Sequence, residues 1–202
     1  ERYAPEDKSM FAALEGKKLI SSEEGMKVRE ERRELLKTAK QIYDLDREHA
    51  EQLASVTKLT NSIESLTPWL ALDVPLKVMK TERTVFFPGT MPGGTTAEKV
   101  YEILAEKAPD VESADVHIIS QEQSTVYLAV ICLTEEAGAV EDALRSEGFA
   151  RPSQSWKEVP AREKEMLEQK IAECQDNISE IEEKIKARAS EREGLKIVAD
   201  YY

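Results

Sequence analysis

Apolar residues recur at alternating steps of three and four in two long stretches of the chain, residues 21–70 and 157–202. This spacing is typical of a coiled coil, in which one apolar stripe of each helix faces its partner. The first stripe contains Leu35, Ile42, Leu45, Val56, Leu59, Ile63 and Leu66, interrupted by Thr38, His49 and Gln52. The second contains Leu167, Ile171, Cys174, Ile178, Ile181, Ile185 and Leu195, interrupted by Arg188 and Arg192. We therefore predict two coiled-coil helices, which must run antiparallel if they pair because the chain reverses between them.

The ends of both helices carry recognisable signals. Ser21-Ser22-Glu23-Glu24 reads as a capping box with Ser21 at the N-cap. Pro160 stands near the first turn of the second helix, where its missing N–H costs nothing. Residues 1–20 precede the first helix and are predicted to be irregular.

Residues 71–156, between the two helices, alternate between strand and helix patterns. Four strands are predicted at residues 83–89, 114–121, 125–133 and 149–155, with helices at 95–107 and 134–148. Pro152 would place the last strand at an edge of the sheet. The order βαββαβ predicts a ferredoxin-like lobe, with a core of Val85, Phe87, Val100, Leu104, Val116, Ile118, Leu128, Val130, Ala143 and Leu144. The fold class is thus α+β: a long antiparallel two-helix coiled coil with a ferredoxin-like lobe at its tip.

Composition narrows the possible functions. The formal net charge is −12, which disfavours both nucleic acid and anionic lipid as the main partner. No apolar run approaches the roughly 20 residues that span a bilayer. Two histidines and two cysteines provide little material for a metal centre or a catalytic triad, so we expect neither enzymatic activity nor a cofactor. The separated cysteines, Cys132 and Cys174, fit a reducing compartment. Because the sequence opens with Glu1, we expect a piece of a longer polypeptide.

A few residues invite a chemical interpretation. The glycine-rich segment 89–96 lies between a strand and a helix, as a phosphate-binding loop would, but Thr95 occupies the position where that loop needs lysine. A strand-to-helix turn with Thr95 as the cap is the favoured interpretation. His49 could be a pH switch, although a polar layer that fixes helix register is the simpler alternative. Arg188 and Arg192 could mark the end of helix pairing or could be ordinary solvated positions.

Three segments together resemble a known family. They are Leu66-Thr-Pro-Trp-Leu-Ala-Leu-Asp-Val-Pro-Leu76, Thr84-Val-Phe-Phe-Pro-Gly-Thr-Met-Pro92 and the opening Arg2-Tyr-Ala-Pro-Glu-Asp-Lys-Ser-Met-Phe11. The chain resembles, over essentially its whole length, the cytoplasmic N-terminal domain of subunit I of bacterial V-type ATP synthases, the counterpart of eukaryotic V-ATPase subunit a.

The resemblance implies a non-catalytic stator arm on the cytoplasmic side of the cell membrane. Its implied partners are the peripheral-stalk subunits E and G and, through a membrane domain outside this sequence, the rest of the rotary ATPase. The essential arginine of the family lies in that membrane domain, so Arg188 and Arg192 are not given its role. We expect Pro68, Trp69 and Leu72 to join the helices to the lobe, with Trp69 as the wedge, and the fragment itself to be monomeric.

Two other classes of function fit the sequence less fully. Ferredoxin-like modules often bind small molecules, which makes a sensor of amino acids conceivable. The two apolar stripes could instead serve an adaptor protein that forms homodimers.

Overall fold

The structure, a computed structural model, describes residues 22–201 of the chain. The predicted irregular segment 1–20 and the Ser21 cap lie outside the described residues. The regular elements, in chain order, are α1 (Ser22–Leu66), a 3-10 turn (Thr67–Trp69), β1 (Met79–Lys80), β2 (Thr84–Pro92), α2 (Ala97–Lys107), β3 (Ala114–Gln121), β4 (Thr125–Leu133), α3 (Ala137–Arg145), α4 (Pro160–Lys186), a second 3-10 turn (Ala189–Glu191) and α5 (Arg192–Tyr201). The α+β class and the two long helices are confirmed.

The two helical segments end differently from the prediction. The first helix was expected to reach residue 70, but α1 ends at Leu66, since a residue that precedes proline, here Thr67 before Pro68, is disfavoured in the α conformation. The second was expected to run unbroken over residues 157–202. It instead divides into α4 and α5 around a 3-10 turn, where Arg188 leaves helical geometry with φ −91° and ψ 5°. No apolar stripe residue falls between Ile185 and Leu195 to hold a continuous helix in place.

Four antiparallel strands form one sheet in the order β1-β2-β4-β3. Helices α2 and α3 supply Val100, Leu104, Val140 and Leu144 to a core that they share with one face of the sheet. Of the ten predicted core residues, nine are buried and Ile118 is partly buried against them. The strand alternation thus correctly identified the face of the sheet that α2 and α3 cover.

The predicted fourth strand, residues 149–155, is wrong. Only Ala150 pairs with the sheet: its N–H and C=O both bond to Thr90, at 3.0 and 2.8 Å. The short strand β1 pairs with Val85 and Phe86 farther along the same edge of β2. Pro88 and Thr90 are two residues apart on β2, so their main-chain groups face the same edge of the sheet. Pro88 has no N–H to donate there, and Pro152 interrupts the opposing segment. The two prolines explain why two short pieces replace one strand.

By its internal contacts the chain divides into two compact units. The helical unit contains the described residues 22–58 and 170–201, and the lobe unit contains residues 59–169. The lobe unit is therefore larger than the predicted lobe, residues 71–156, because it includes the last residues of α1 and the first residues of α4.

Candidate functional site: paired helices and a tryptophan cluster

In the helical unit, the predicted stripe residues are the ones withdrawn from solvent. Leu35, Ile181 and Ile185 are buried. The others in this unit are partly buried: Ile42, Leu45, Val56, Ile171, Cys174, Ile178 and Leu195. Leu35 packs against Val198, and His49 contacts Glu182, so later positions on α1 meet earlier positions on the returning segment. The pairing in this unit is antiparallel.

His49 lies inside this pairing with 4% of its surface exposed. Its Nε2 atom is 3.4 Å from the Glu182 carboxylate, on the opposite helix. Lys186, one turn along α4, approaches the other oxygen of Glu182 at 3.9 Å. Together with Thr38, His49 forms the buried polar part of the first stripe, and a polar contact inside a stripe favours one register over its alternatives.

The break after α4 brings α5 close to α1. A Cβ added at Gly194 would lie 2.9 Å from a methyl group of Leu35, so glycine permits the close approach of these two helices. Arg188 is exposed and pairs with Glu191 at 3.1 Å, whereas Arg192 is partly buried. A hydrogen bond from Thr38, which has the larger effect, and one from Arg188 lower the pKa of Glu191 below its ordinary value of 4.5. These polar contacts join the turn to α1.

In the lobe unit, an apolar cluster forms around Trp69. Its buried members are Leu66, Trp69, Leu72, Leu76 and Leu167. The cluster packs against Phe86, Ile119 and Tyr127 on the sheet face opposite α2 and α3. The Trp69 ring meets the Tyr127 ring edge-on, with centroids 5.2 Å apart. We call this set of buried residues the tryptophan cluster; it contains the predicted junction residues Trp69 and Leu72, with Pro68 partly buried beside them.

Two hydrogen bonds fasten the tryptophan cluster to the rest of the lobe unit. The Ser120 hydroxyl of β3 donates to the Pro68 carbonyl at 2.7 Å. The Trp156 amide donates to the Leu76 carbonyl at 3.0 Å. The end of α1, the start of α4 and the sheet are therefore packed together without a free linker among residues 59–169.

The glycine-rich segment 89–96 has a structural explanation. A Cβ at Gly89 would overlap the Phe149 ring at 1.9 Å, and one at Gly93 would lie 2.5 Å from the Gln123 carbonyl. Gly94 has a positive φ of 83°, which favours glycine. The predicted cap Thr95 is wrong by one residue: Thr96 accepts the hydrogen bond from Lys99 N, while Thr95 donates its hydroxyl proton to the Pro92 carbonyl. Turn formation and close packing account for each of these residues.

The remaining single residues lie in ordinary environments. Cys132 is buried, and burial followed by the charge of Glu136 raises its pKa to about 11. His117 is exposed on β3. Within residues 22–201, no group of three or more His, Cys, Asp or Glu side chains is arranged to hold a metal ion.

Sequence reasoning missed one surface. Leu36, Tyr43 and Leu53 are large apolar residues of α1 that remain 41–68% exposed. They occupy heptad positions next to the buried stripe, and this spacing could have indicated a second apolar face.

No family profile and no curated protein matches the chain. Among solved structures, it is similar to the cytoplasmic N-terminal domain of subunit I, homolog of subunit a, of V-ATPase, with 13% sequence identity and a TM-score of 0.48. The match covers 77% of this chain and 52% of that one, so the chain spans about half the length of that structure.

None of the helices within residues 22–201 is both long enough and apolar enough to cross a bilayer.

Proposed function

We propose that this chain is a non-catalytic stator arm of a rotary V-type ATPase. The arm would connect the membrane-embedded, ion-translocating part of the complex to its peripheral stalks, formed by subunits E and G. It would act on the cytoplasmic side of the membrane, resisting the torque that rotation exerts on the static subunits during proton or sodium transport.

The tryptophan cluster carries this proposal. The string Leu66–Leu76, on which the family resemblance chiefly depends, contributes four of its five buried residues, and Leu167 of α4 is the fifth. Leu66 is fully buried and Trp69 is 2% exposed. A force acting along either helix would therefore reach the sheet through packed side chains rather than through a flexible linker.

The helical unit supports the same mechanical role. Helix α1 has 45 residues, which corresponds to about 68 Å at 1.5 Å per residue. Its stripe pairs with α4 in the helical unit, and a helix pair with a buried apolar seam resists bending better than a single helix does. Such an element needs no cofactor and no catalytic residue.

The first test is direct binding to the stalk. The 202-residue chain is titrated into a purified E–G heterodimer and followed by isothermal calorimetry, with an unrelated coiled coil of similar negative charge as the control. We expect saturable binding of the heterodimer by the chain and none by the control. Absence of heat at high micromolar concentration, or equal binding by the control, would contradict the proposal.

A second test uses the gene. A stator arm of this kind needs a membrane domain, so the same reading frame should encode several apolar segments of about 20 residues downstream. A reading frame without such segments would remove the connection to the membrane on which the role depends.

A cleft in the lobe unit favours one alternative, a sensor of small molecules. It encloses about 280 Å³ and is lined by Trp69, Tyr127, Trp156 and Arg151, among others. Aromatic walls suit a small ligand with a ring. Arg151 pairs with Glu141, so an acidic group on the ligand would have to compete with that carboxylate. A thermal-shift screen of aromatic amino acids decides: a saturable rise in Tm that Trp156→Ala abolishes would favour the sensor, and a flat screen would remove it.

A further inference from the structure

The outer side of α1 carries an apolar stripe that the helical unit does not cover. It consists of Leu36, Ala39, Tyr43, Ala50 and Leu53, all of them exposed; we call it the outer stripe. Tyr43 is 68% exposed, Leu36 48% and Leu53 41%. Among residues 22–201, four of the seven large exposed apolar side chains belong to this one helix. Three of these four, Leu36, Tyr43 and Leu53, belong to the outer stripe, and apolar side chains grouped on one side of a helix favour an interaction surface more than scattered ones do.

Part of the outer stripe forms one wall of a groove between α1 and α5. The groove encloses about 480 Å³ and is lined by Arg32, Leu36, Ala39 and Ile42 on α1 and by Leu195, Val198 and Ala199 on α5. Apart from Arg32, every lining residue is apolar. A groove between two roughly side-by-side helices is the shape that accepts a third helix, whose apolar residues pack at intervals of three and four.

The charges beside the outer stripe specify the partner. Arg33, Lys40 and Arg47 are exposed and follow one another at seven-residue intervals, so they form one row along the same side of α1; we call it the basic row. Two acidic residues lie close by: Asp46 stands within the outer stripe, and Glu51 approaches Arg47 at 3.7 Å. Arg29 and Arg32 extend the positive charge at the start of the stripe. The chain as a whole has a formal net charge of −12, so this basic row departs from the general character of the surface. Positions that flank an apolar stripe select partners by opposite charge.

We propose that the outer stripe and the basic row form a docking site for an acidic amphipathic helix of a partner protein. The partner's apolar residues enter the groove between α1 and α5, and its Glu or Asp side chains pair with Arg33, Lys40 and Arg47. From Leu36 to Leu53 the site spans 18 residues, whose ends lie about 26 Å apart along the helix, which fits a partner segment of four to five turns. The site shares no residue with the tryptophan cluster, so it does not depend on the proposed function.

The test uses a synthetic probe. A fluorescent peptide of about three heptads carries Leu and Ile at the apolar positions and Glu at the flanking positions, and a second peptide carries Lys in place of each Glu. Anisotropy titrations with the 202-residue chain should give binding of the acidic peptide roughly tenfold tighter than binding of the basic one. Equal affinity for both, or no binding of the acidic peptide at high micromolar concentration, overturns the proposal.

Variants locate the binding. Leu36→Asp should abolish it, because it places a charge in the groove, and Lys40→Glu should weaken the acidic peptide by roughly threefold to tenfold. Lys170→Glu is the matched control, since Lys170 is also an exposed helical lysine of the helical unit, and should leave affinity unchanged. Reversal of all three charges of the basic row should invert the preference between the peptides. All of these positions are exposed, so circular dichroism should show unchanged helix content.

Two other occupants are distinguished in the same experiment. If sedimentation shows a dimer that Leu36→Asp dissociates, the surface binds a second copy and the proposal is wrong. If the chain cosediments with phosphatidylserine vesicles and Leu36→Asp prevents this, the surface binds lipid and the proposal is equally wrong.

Discussion

At the scale of single residues, the two cysteines lie in different environments and should react differently. Cys132 is buried with its pKa raised to about 11, so roughly one part in a thousand is thiolate at pH 8. Cys174 is only partly buried. With iodoacetamide at pH 8 we expect Cys174 to be modified first and Cys132 only after unfolding, as followed by mass spectrometry of the tryptic peptides. Equal rates in the folded chain would contradict the burial of Cys132.

Trp69 should be the most sensitive residue of the lobe unit. It is 2% exposed and is held by Leu66, Leu76 and the Tyr127 ring, so Trp69→Ala leaves a large cavity and should cost about 3–5 kcal/mol of unfolding free energy. Urea unfolding of the lobe measures the loss. Trp156→Ala is the control, because Trp156 is only partly buried and should cost clearly less.

The residues differ in how far the sequence could identify them. Trp69 could be identified, because a large aromatic residue beside a proline at a helix end has few alternatives to burial. The neighbour of His49 could not: Glu182 lies 133 positions away, and nothing local indicates which of many glutamates on α4 faces that histidine. Gly89 likewise depends on Phe149, a contact that only the folded lobe defines.

At the scale of elements, the pairing of α1 with α4 can be tested by measuring the distance between one residue on each helix. Val56 and Cys174 both lie on partly buried stripe positions of the helical unit. Spin labels on Cys174 and on Val56→Cys, in a Cys132→Ser background, should give one short, narrow distance distribution, because packed helix axes are about 8–10 Å apart. A broad distribution at long distance would mean that the helices separate in solution, and the mechanical proposal would be lost with the pairing.

The turn between α4 and α5 should respond to acid. In the folded state the Thr38 and Arg188 hydrogen bonds lower the pKa of Glu191 below 4.5. Their stabilisation is therefore present above the ordinary pKa and is lost as the pH falls through the folded one. Thr38→Val should raise the pKa of Glu191 in an NMR titration of its carboxyl carbon. Thr57→Val is the control, because the Thr57 hydroxyl donates to the Leu53 carbonyl within α1. This substitution should leave the pKa of Glu191 unchanged.

The helices and strands were predictable where their own local sequence pattern decided the structure, without a distant residue intervening. The alternation in 114–121 and 125–133 predicted β3 and β4 because these strands have one face on the α2–α3 core. The strand predicted at 149–155 failed because pairing at that edge depends on Pro88 of β2, which cannot donate a hydrogen bond. The break after Lys186 was visible only as two arginines in the stripe, and the sequence left their meaning open.

At the scale of the whole molecule, charge should keep the chain monomeric. A formal net charge of −12 opposes self-association. The basic row lies beside the outer stripe, and two copies that met through this surface would bring like charges together. Sedimentation equilibrium at tens of micromolar should therefore return the 22.8 kDa of a single chain. A mass of twice that value would contradict this expectation, and Leu36→Asp would show whether the outer stripe is responsible.

The class of the molecule was predictable, whereas its binding surfaces were not. Heptads and strand alternation report which residues avoid water, and this is sufficient for an α+β chain with two long helices. A docking site consists instead of residues left in water, such as Tyr43, and becomes recognisable only when the covered stripe is known. The sequence shows that Leu36 and Leu53 are apolar, but only the structure shows that they are exposed and so belong to the outer stripe.

The two edges of the sheet have a consequence for how anything can attach to the lobe unit. At one edge, β1 pairs with Val85 and Phe86 of β2, Ala150 bonds to Thr90, and Pro88 between them lacks a donor. At the other edge, the Tyr101 hydroxyl accepts the hydrogen bond from the Val116 amide. An incoming polypeptide would thus find these main-chain groups taken or missing, and extension of the sheet by a foreign strand is discouraged. At these positions a partner of the lobe would have to be recognised through side chains rather than by strand addition.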